Sequence, residues 1–123
     1  MNIHESSENY LEAMLMLREE KGYIRSVDVA EKLGVKKPSV SYATKRLRES
    51  GYITMDETGL ISLTDAGQEI AAQMFTRHKL LTEVLMRIGV DAETAREDAC
   101  KLEHDLSEAS FEAICRYVQG ERV

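Results

Sequence analysis

Residues 26–51 read SVDVAEKLGVKKPSVSYATKRLRESG, and this stretch decides the fold. Ser26 suits an N-cap, and Asp28 places a negative charge in the first turn of a short helix, Val27 to Leu33. Gly34 fits the C′ position, where glycine takes the left-handed conformation at little cost. Pro38 then opens a second helix at a position where its missing N–H is harmless. That helix runs to about Glu49, and Gly51 ends it. The linker Gly34-Val35-Lys36-Lys37 is short, and Ala30 is small where the two helices must cross closely, as in a helix-turn-helix. Val40, Ala43 and Leu47 are predicted to face inward. Ser39, Ser41, Tyr42, Lys45 and Arg46 then share the opposite face.

The flanking segments agree with this reading. Upstream, Tyr10, Leu11, Met14, Leu15 and Leu17 recur at helical spacing across residues 6–20, and Gly22 follows as a stop. Downstream the period changes. Tyr52-Ile53-Thr54-Met55 and Leu60-Ile61-Ser62-Leu63 favour strands, and Asp56-Glu57-Thr58-Gly59 between them reads as a hairpin turn. Three helices follow. Thr64 caps one over about Asp65 to Ile88, with Ile70, Met74, Leu81, Leu85 and Ile88 as its stripe. Asp91 caps a second, to about Leu106, and Ser107 a third, ending near Gly120. The fold class is therefore mostly α: a winged helix-turn-helix over 1–64, then an all-helical domain over 65–123.

A recognition helix presents its N-terminal residues to base edges in the major groove. Ser39 and Tyr42 are the base-edge candidates here, with Pro38 against a thymine methyl. Lys36, Lys37, Ser41, Lys45, Arg46 and Arg48 complete the surface, its cations meeting phosphates and so fixing position more than sequence. The wing turn carries Asp56 and Glu57, which weakens its part in phosphate binding.

The overall charge of −6 argues against DNA at first sight. Its distribution reverses that inference. Residues 91–113 hold eight acids against two bases, so this segment alone nets −6, and the remainder is balanced at 14 and 14. Within that remainder, residues 36–48 contain five cations and no acid. The chain thus has a basic surface and an acidic one, suited to different partners.

Other classes are excluded quickly. No apolar run approaches the ~18–20 residues of a membrane span. The start, Met1-Asn2-Ile3-His4-Glu5, lacks a signal peptide's features. Two cysteines, Cys100 and Cys115, make no disulfide framework, which points to a reduced, cytoplasmic setting. There is no phosphate-cradling glycine loop and no nucleophile elbow, so an enzyme is not expected.

Within the acidic segment, Cys100, Glu103 and His104 stand at i, i+3 and i+4, on one helix face within about one turn. Thiolate, carboxylate and imidazole so placed suit one divalent metal. By spacing alone, a core cysteine beside a surface Glu-His pair is the alternative. Asn9 and Glu12 share a face of the first helix, and His78 lies between Arg77 and Lys79 in the fourth. Spacing does not bring these helices together.

Four stretches carry a resemblance that covers residues 1 to about 119. They are Glu8-Asn9-Tyr10-Leu11-Glu12, the helix-turn-helix, Arg77-His78-Lys79-Leu80-Leu81, and Asp98-Ala99-Cys100-Lys101-Leu102-Glu103-His104. Together they resemble the family of metal-dependent repressors that includes the diphtheria toxin repressor and the manganese transport regulator. The resemblance implies that Asn9, Glu12, His78, Cys100, Glu103 and His104 surround the metal sites. It also implies that the three C-terminal helices form a homodimer interface. Length is expected to accommodate the two-domain core without the SH3-like domain of longer members.

Position 100 is a cysteine as in iron-type members, where manganese-type members have glutamate. Asn9 matches neither type, and Glu12 looks manganese-like. The resemblance thus implies Fe(II), slightly ahead of Mn(II), with Co(II), Ni(II) or Zn(II) as substitutes in vitro. Arg96 and Thr82 stand where iron-type members have histidine and glutamate, so a second, ancillary metal site is expected to be incomplete. The implied function is a metal-dependent transcriptional repressor that binds a palindromic operator of metal-uptake genes. The alternative is a metal-independent winged-helix regulator that answers to an organic ligand or a protein partner.

Overall fold

The structure is a computed structural model and describes residues 5–120; the N-terminal residues 1–4, read above for a leader signal, lie outside the described residues. Its elements in order are α1 (Glu5–Lys21), β1 (Ile24–Arg25), α2 (Ser26–Leu33), α3 (Lys37–Glu49), β2 (Ile53–Met55), β3 (Leu60–Leu63), α4 (Asp65–Arg87), α5 (Ala92–Asp105) and α6 (Glu108–Val118). The chain divides into two compact units, Met1–Gln73 and Met74–Val123.

The first unit is a winged helix-turn-helix. α1 packs on α2, α3 and the sheet, and α2 packs on α3. Leu11, Met14, Ile24, Val29 and Val40 are essentially inaccessible to solvent and form the centre of its core. The turn between α2 and α3 forms as the sequence requires. Gly34 is left-handed at φ 68°, and the Val35 N–H donates to the Ala30 carbonyl at 3.1 Å, which pairs carbonyls the helix end would otherwise leave open. Pro38 sits in the first turn of α3.

Three local readings need correction. Arg25, in extended backbone, is the residue before α2 and makes no side-chain cap bond, so Ser26 is helical rather than the cap. On α3 the buried face is Val40, Thr44 and Leu47, and Ala43 is only half-buried. From Val40 the offsets +4 and +7 select Thr44 and Leu47, and the Thr44 hydroxyl stays satisfied by donating to the Ser41 carbonyl at 3.1 Å. Ile88 lies beyond the end of α4 and is 74% exposed, so it is outside the stripe.

The wing is a three-stranded antiparallel sheet in the order β1-β3-β2, with Ile24 opposite Ile61 and Thr54 opposite Ser62. β1 has two residues, too few for any period to announce it. Asp56 organises the wing turn. Its Oδ1 accepts from the Thr58 N–H, the Thr58 hydroxyl and the Leu60 N–H at 2.7–2.9 Å, and Arg25 donates to the Thr58 carbonyl at 2.9 Å. The Thr58 hydroxyl and the Leu60 N–H hold the Asp56 carboxyl below its ordinary pKa. Its charge therefore serves the turn. α4 starts tightly against Tyr52, the residue before β2. A Cβ on Gly67 would lie 2.0 Å from the Tyr52 carbonyl oxygen, so only glycine fits there.

The second unit is helical throughout. Asp91 caps α5 by accepting from the Thr94 N–H at 3.0 Å, and Ser107 caps α6 by accepting from the Ser110 N–H at 3.1 Å. Met74, Leu81, Ala95, Ala99 and Glu103 are its buried residues. α6 buries none of its residues, although Phe111, Ile114 and Val118 recur along it at helical spacing. No helix among the described residues is long and apolar enough to cross a membrane.

Candidate metal centre and nucleic-acid interface

α5 brings one ligand atom from each of Cys100, Glu103 and His104 to within 4.8 Å of the others. A single ion with bonds of about 2.0–2.3 Å to N, O and S can span such a set. The burial of the carboxylate makes the set unusual. Glu103 is fully buried, and its Oε2 lies 3.1 Å from Nδ1 of His78 on α4. Its Oε1 lies 3.5 Å from Nε2 of His104 and accepts no hydrogen bond among the described residues. A buried carboxylate is costly unless a cation or several donors compensate it. An oxygen with spare lone pairs, beside a thiol and two imidazoles, therefore fits a dication. Cys100 is exposed, and the two cysteines are not bridged.

Arg77, one residue before His78, holds this arrangement together, and spacing gave no sign of it. Its Nη1 donates to the Glu103 carbonyl at 3.0 Å and to the Leu106 carbonyl at 2.8 Å. These carbonyls belong to the last turn of α5, where a cation complements the helix dipole. The guanidinium also lies over the Phe111 ring, 4.9 Å from its centroid. One side chain of α4 thus fixes the end of α5 that carries Glu103 and His104, and the start of α6.

Beside His78 lies an open groove of about 600 Å³, lined also by Lys79, Thr82, Glu83, Arg87 and Arg96. Thr82 spends its hydroxyl on the His78 carbonyl at 2.7 Å, and Glu83 is paired with Arg87 at 2.6 Å. Three cations line this groove, so a second dication is disfavoured there. Asn9 and Glu12 lie three residues apart on α1, in the other unit; Asn9 is half-buried and Glu12 is buried.

In the first unit, all the residues of the basic stretch proposed to face DNA are exposed. These are Lys36, Lys37, Pro38, Ser39, Ser41, Tyr42, Lys45, Arg46 and Arg48. Tyr42 is 63% exposed. Arg46 donates to the Tyr42 hydroxyl at 3.1 Å and lies over the Tyr42 ring, 5.7 Å from its centroid.

Known protein families match the chain in two successive parts. Residues 2–59 match the family described as iron dependent repressor, N-terminal DNA binding domain. Residues 64–120 match the iron dependent repressor, metal binding and dimerisation domain. The HTH-type transcriptional regulator MntR of Bacillus pumilus (strain SAFR-032) is 39% identical over 114 residues, covering 93% of this chain and 79% of the relative. The transcriptional regulator MntR of Salmonella typhimurium is 35% identical over 112 residues, covering 91% and 71%. Among solved structures, the manganese regulator SloR superposes with a TM-score of 0.82 at 28% identity, over 100% of this chain and 57% of that one. IdeR of T. acidophilum superposes with a TM-score of 0.82 at 27% identity, over 97% and 55%. The chain thus spans little more than half the length of these solved structures.

Proposed function

This chain belongs to the iron-dependent repressor family through both of its halves, and from that premise we propose that it is a metal-dependent transcriptional repressor of metal homeostasis. The observation that carries the reading is the fully buried Glu103 carboxylate between His78 and His104, one turn from Cys100. A bound dication supplies the positive charge that this carboxylate otherwise lacks. Glu103 and His104 hold the site from α5, Cys100 adds a soft sulfur donor, and His78 approaches from α4. On the resemblance, Asn9 and Glu12 of α1 contribute further oxygens. Metal then favours the DNA-competent arrangement by differential affinity.

The protein acts as a homodimer. α6 has an apolar stripe with no residue buried in the single chain, and Tyr117 is 78% exposed, as expected of a face that a second copy covers. Two α3 helices related by a twofold axis suit a palindromic operator with half-sites about one helical turn apart. Such work places the protein in the cytoplasm, and a repressor family assigns it no catalytic role. The metal-independent alternative is disfavoured, because the C-terminal half matches a metal-binding family.

The ion is Fe(II) or Mn(II). Cys100 tips the donor set toward Fe(II) by its softness, whereas solved relatives include a manganese regulator. DNA binding measured anaerobically with Fe(II), with Mn(II) and with chelator tests both points. Tight binding with metal and weak binding in chelator is expected. Equal affinity in all three would refute a metal-dependent repressor. Replacing Glu103 or His104 by alanine removes the metal response and leaves a dimer.

A further inference from the structure

Arg46 carries two contacts that its expected role, a phosphate contact, does not need. Its Nη1 donates to the Tyr42 hydroxyl at 3.1 Å, and its guanidinium lies over the Tyr42 ring, 5.7 Å from the centroid. The two residues stand at i and i+4 on α3, where a long side chain leans back toward the helix N-terminus. Arg46 therefore covers Tyr42 from its C-terminal side. Tyr42 leans in turn toward Ser39, with which it lines one hollow. A second hollow, lined by Lys45, Glu49 and Ser50, runs along the same pair.

Chemistry fixes the direction of the hydrogen bond. Arginine has donors and no acceptor, so the phenol oxygen accepts and its O–H proton stays available to donate. A charged donor on that oxygen also polarises the O–H and strengthens the bond it makes. An exposed tyrosine ordinarily turns about two side-chain torsions. One held at both its hydroxyl and its ring face has less of that freedom to lose on binding. The result is a fixed donor in the N-terminal half of α3, the part that a helix-turn-helix presents to base edges.

We propose that Tyr42 reads a guanine through its hydroxyl, and that Arg46 is a positioning residue for that contact rather than a phosphate contact. In the major groove guanine sets two acceptors, O6 and N7, side by side, whereas cytosine offers an N4 donor that a fixed donor cannot pair with. The inference deepens the DNA-binding reading above and rests on it. It gives one cation of the basic stretch a part in sequence choice, which its charge alone does not imply.

The test uses the full chain, loaded with whichever of Fe(II) or Mn(II) supports the tighter DNA binding, and a duplex library randomised over about 30 base pairs, or three helical turns. Selection and sequencing give the preferred site of the wild type and of each variant. The wild type should enrich a guanine in each half-site that Tyr42→Phe does not, with the rest of the site shared. On the wild-type site, replacing that guanine by adenine should weaken wild-type binding about tenfold, the size of one lost base contact. The same replacement should barely change the affinity of Tyr42→Phe. Arg46→Lys keeps the charge and lacks the planar fork, so it should lose most of the guanine preference with the salt dependence of binding intact. Because Arg46 acts through Tyr42, the double variant should lose no more preference than Tyr42→Phe alone. Both side chains are exposed, and thermal unfolding checks that each variant folds.

Full guanine preference in Arg46→Lys would overturn the positioning role. So would an Arg46→Gln variant that binds the selected site and a random duplex more weakly by the same factor, with the slope of log K against log salt lower by about one, which is the signature of a phosphate contact. An identical selected site for the wild type and Tyr42→Phe would overturn base reading by the hydroxyl. Failure of the wild type itself to enrich any site would overturn the DNA-binding reading and this proposal together.

Discussion

Replacing Arg77 by alanine tests whether the end of α5 is held from α4. The substitution removes both hydrogen bonds, to the Glu103 and Leu106 carbonyls at 3.0 and 2.8 Å, and the contact with the Phe111 ring. A hydrogen bond from a charged donor contributes about 1.5–3 kcal/mol net, and a cation over a ring about 0.5–1 kcal/mol. Both bonds come from one nitrogen, and the side chain is half-buried, so the total is taken somewhat below the simple lower-end sum of about 3.5 kcal/mol, at about 3 kcal/mol. For a chain of this length that corresponds to a fall in melting temperature of about 12 °C. Calorimetry at fixed protein concentration and in chelator isolates the term, because metal and partner binding would otherwise shift the midpoint. Arg77→Lys keeps the charge but lacks the forked donor, and should recover about half of the loss. In a second assay, metal affinity should fall about tenfold, because Glu103 and His104 sit on the turn that Arg77 secures. A loss below about 1 kcal/mol in Arg77→Ala, or full recovery in Arg77→Lys, would refute the reasoning.

Other substitutions probe separate elements. Gly67→Ala forces a Cβ against the Tyr52 carbonyl, which the Thr64 N–H already holds at 3.0 Å, and should cost about 1–3 kcal/mol in urea unfolding. Ser107→Ala removes the α6 cap and should cost about 1 kcal/mol, seen with a weaker dimer in sedimentation because α6 carries the exposed apolar stripe. Asp91 has a folded pKa below its ordinary 3.8, chiefly through the Thr94 backbone and side-chain hydrogen bonds. Its contribution is therefore complete above that value and is lost as pH falls through the folded pKa. Asp91→Asn keeps a capping oxygen, and its stability should change less than the wild type's between neutral pH and pH values below the carboxylate range.

Much of the fold follows from local chemistry. Gly34, Pro38, Gly51 and the changes of period around 52–63 place the helix-turn-helix and wing, because each acts on the backbone of its own residue or its near neighbours. β1 escaped because two residues carry no period, and it exists only because Ile24 finds Ile61 across the sheet. Residue polarity points Thr44 outward and favours Ala43, whereas position on α3 and a local hydrogen bond put Thr44 inside. Hydrophobicity alone points Ile88 inward, but α4 ends one residue earlier.

For the site, the sequence by itself determined that Cys100, Glu103 and His104 share a face, since offsets of three and four fix that on any helix. It also determined that residues 36–48 form a basic surface. Only the tertiary structure decided that Glu103 is fully buried, that His78 meets its Oε2, and that Arg77 ties down the end of α5. Burial and contacts between helices depend on residues 25 to 29 positions apart, a distance that no local period encodes.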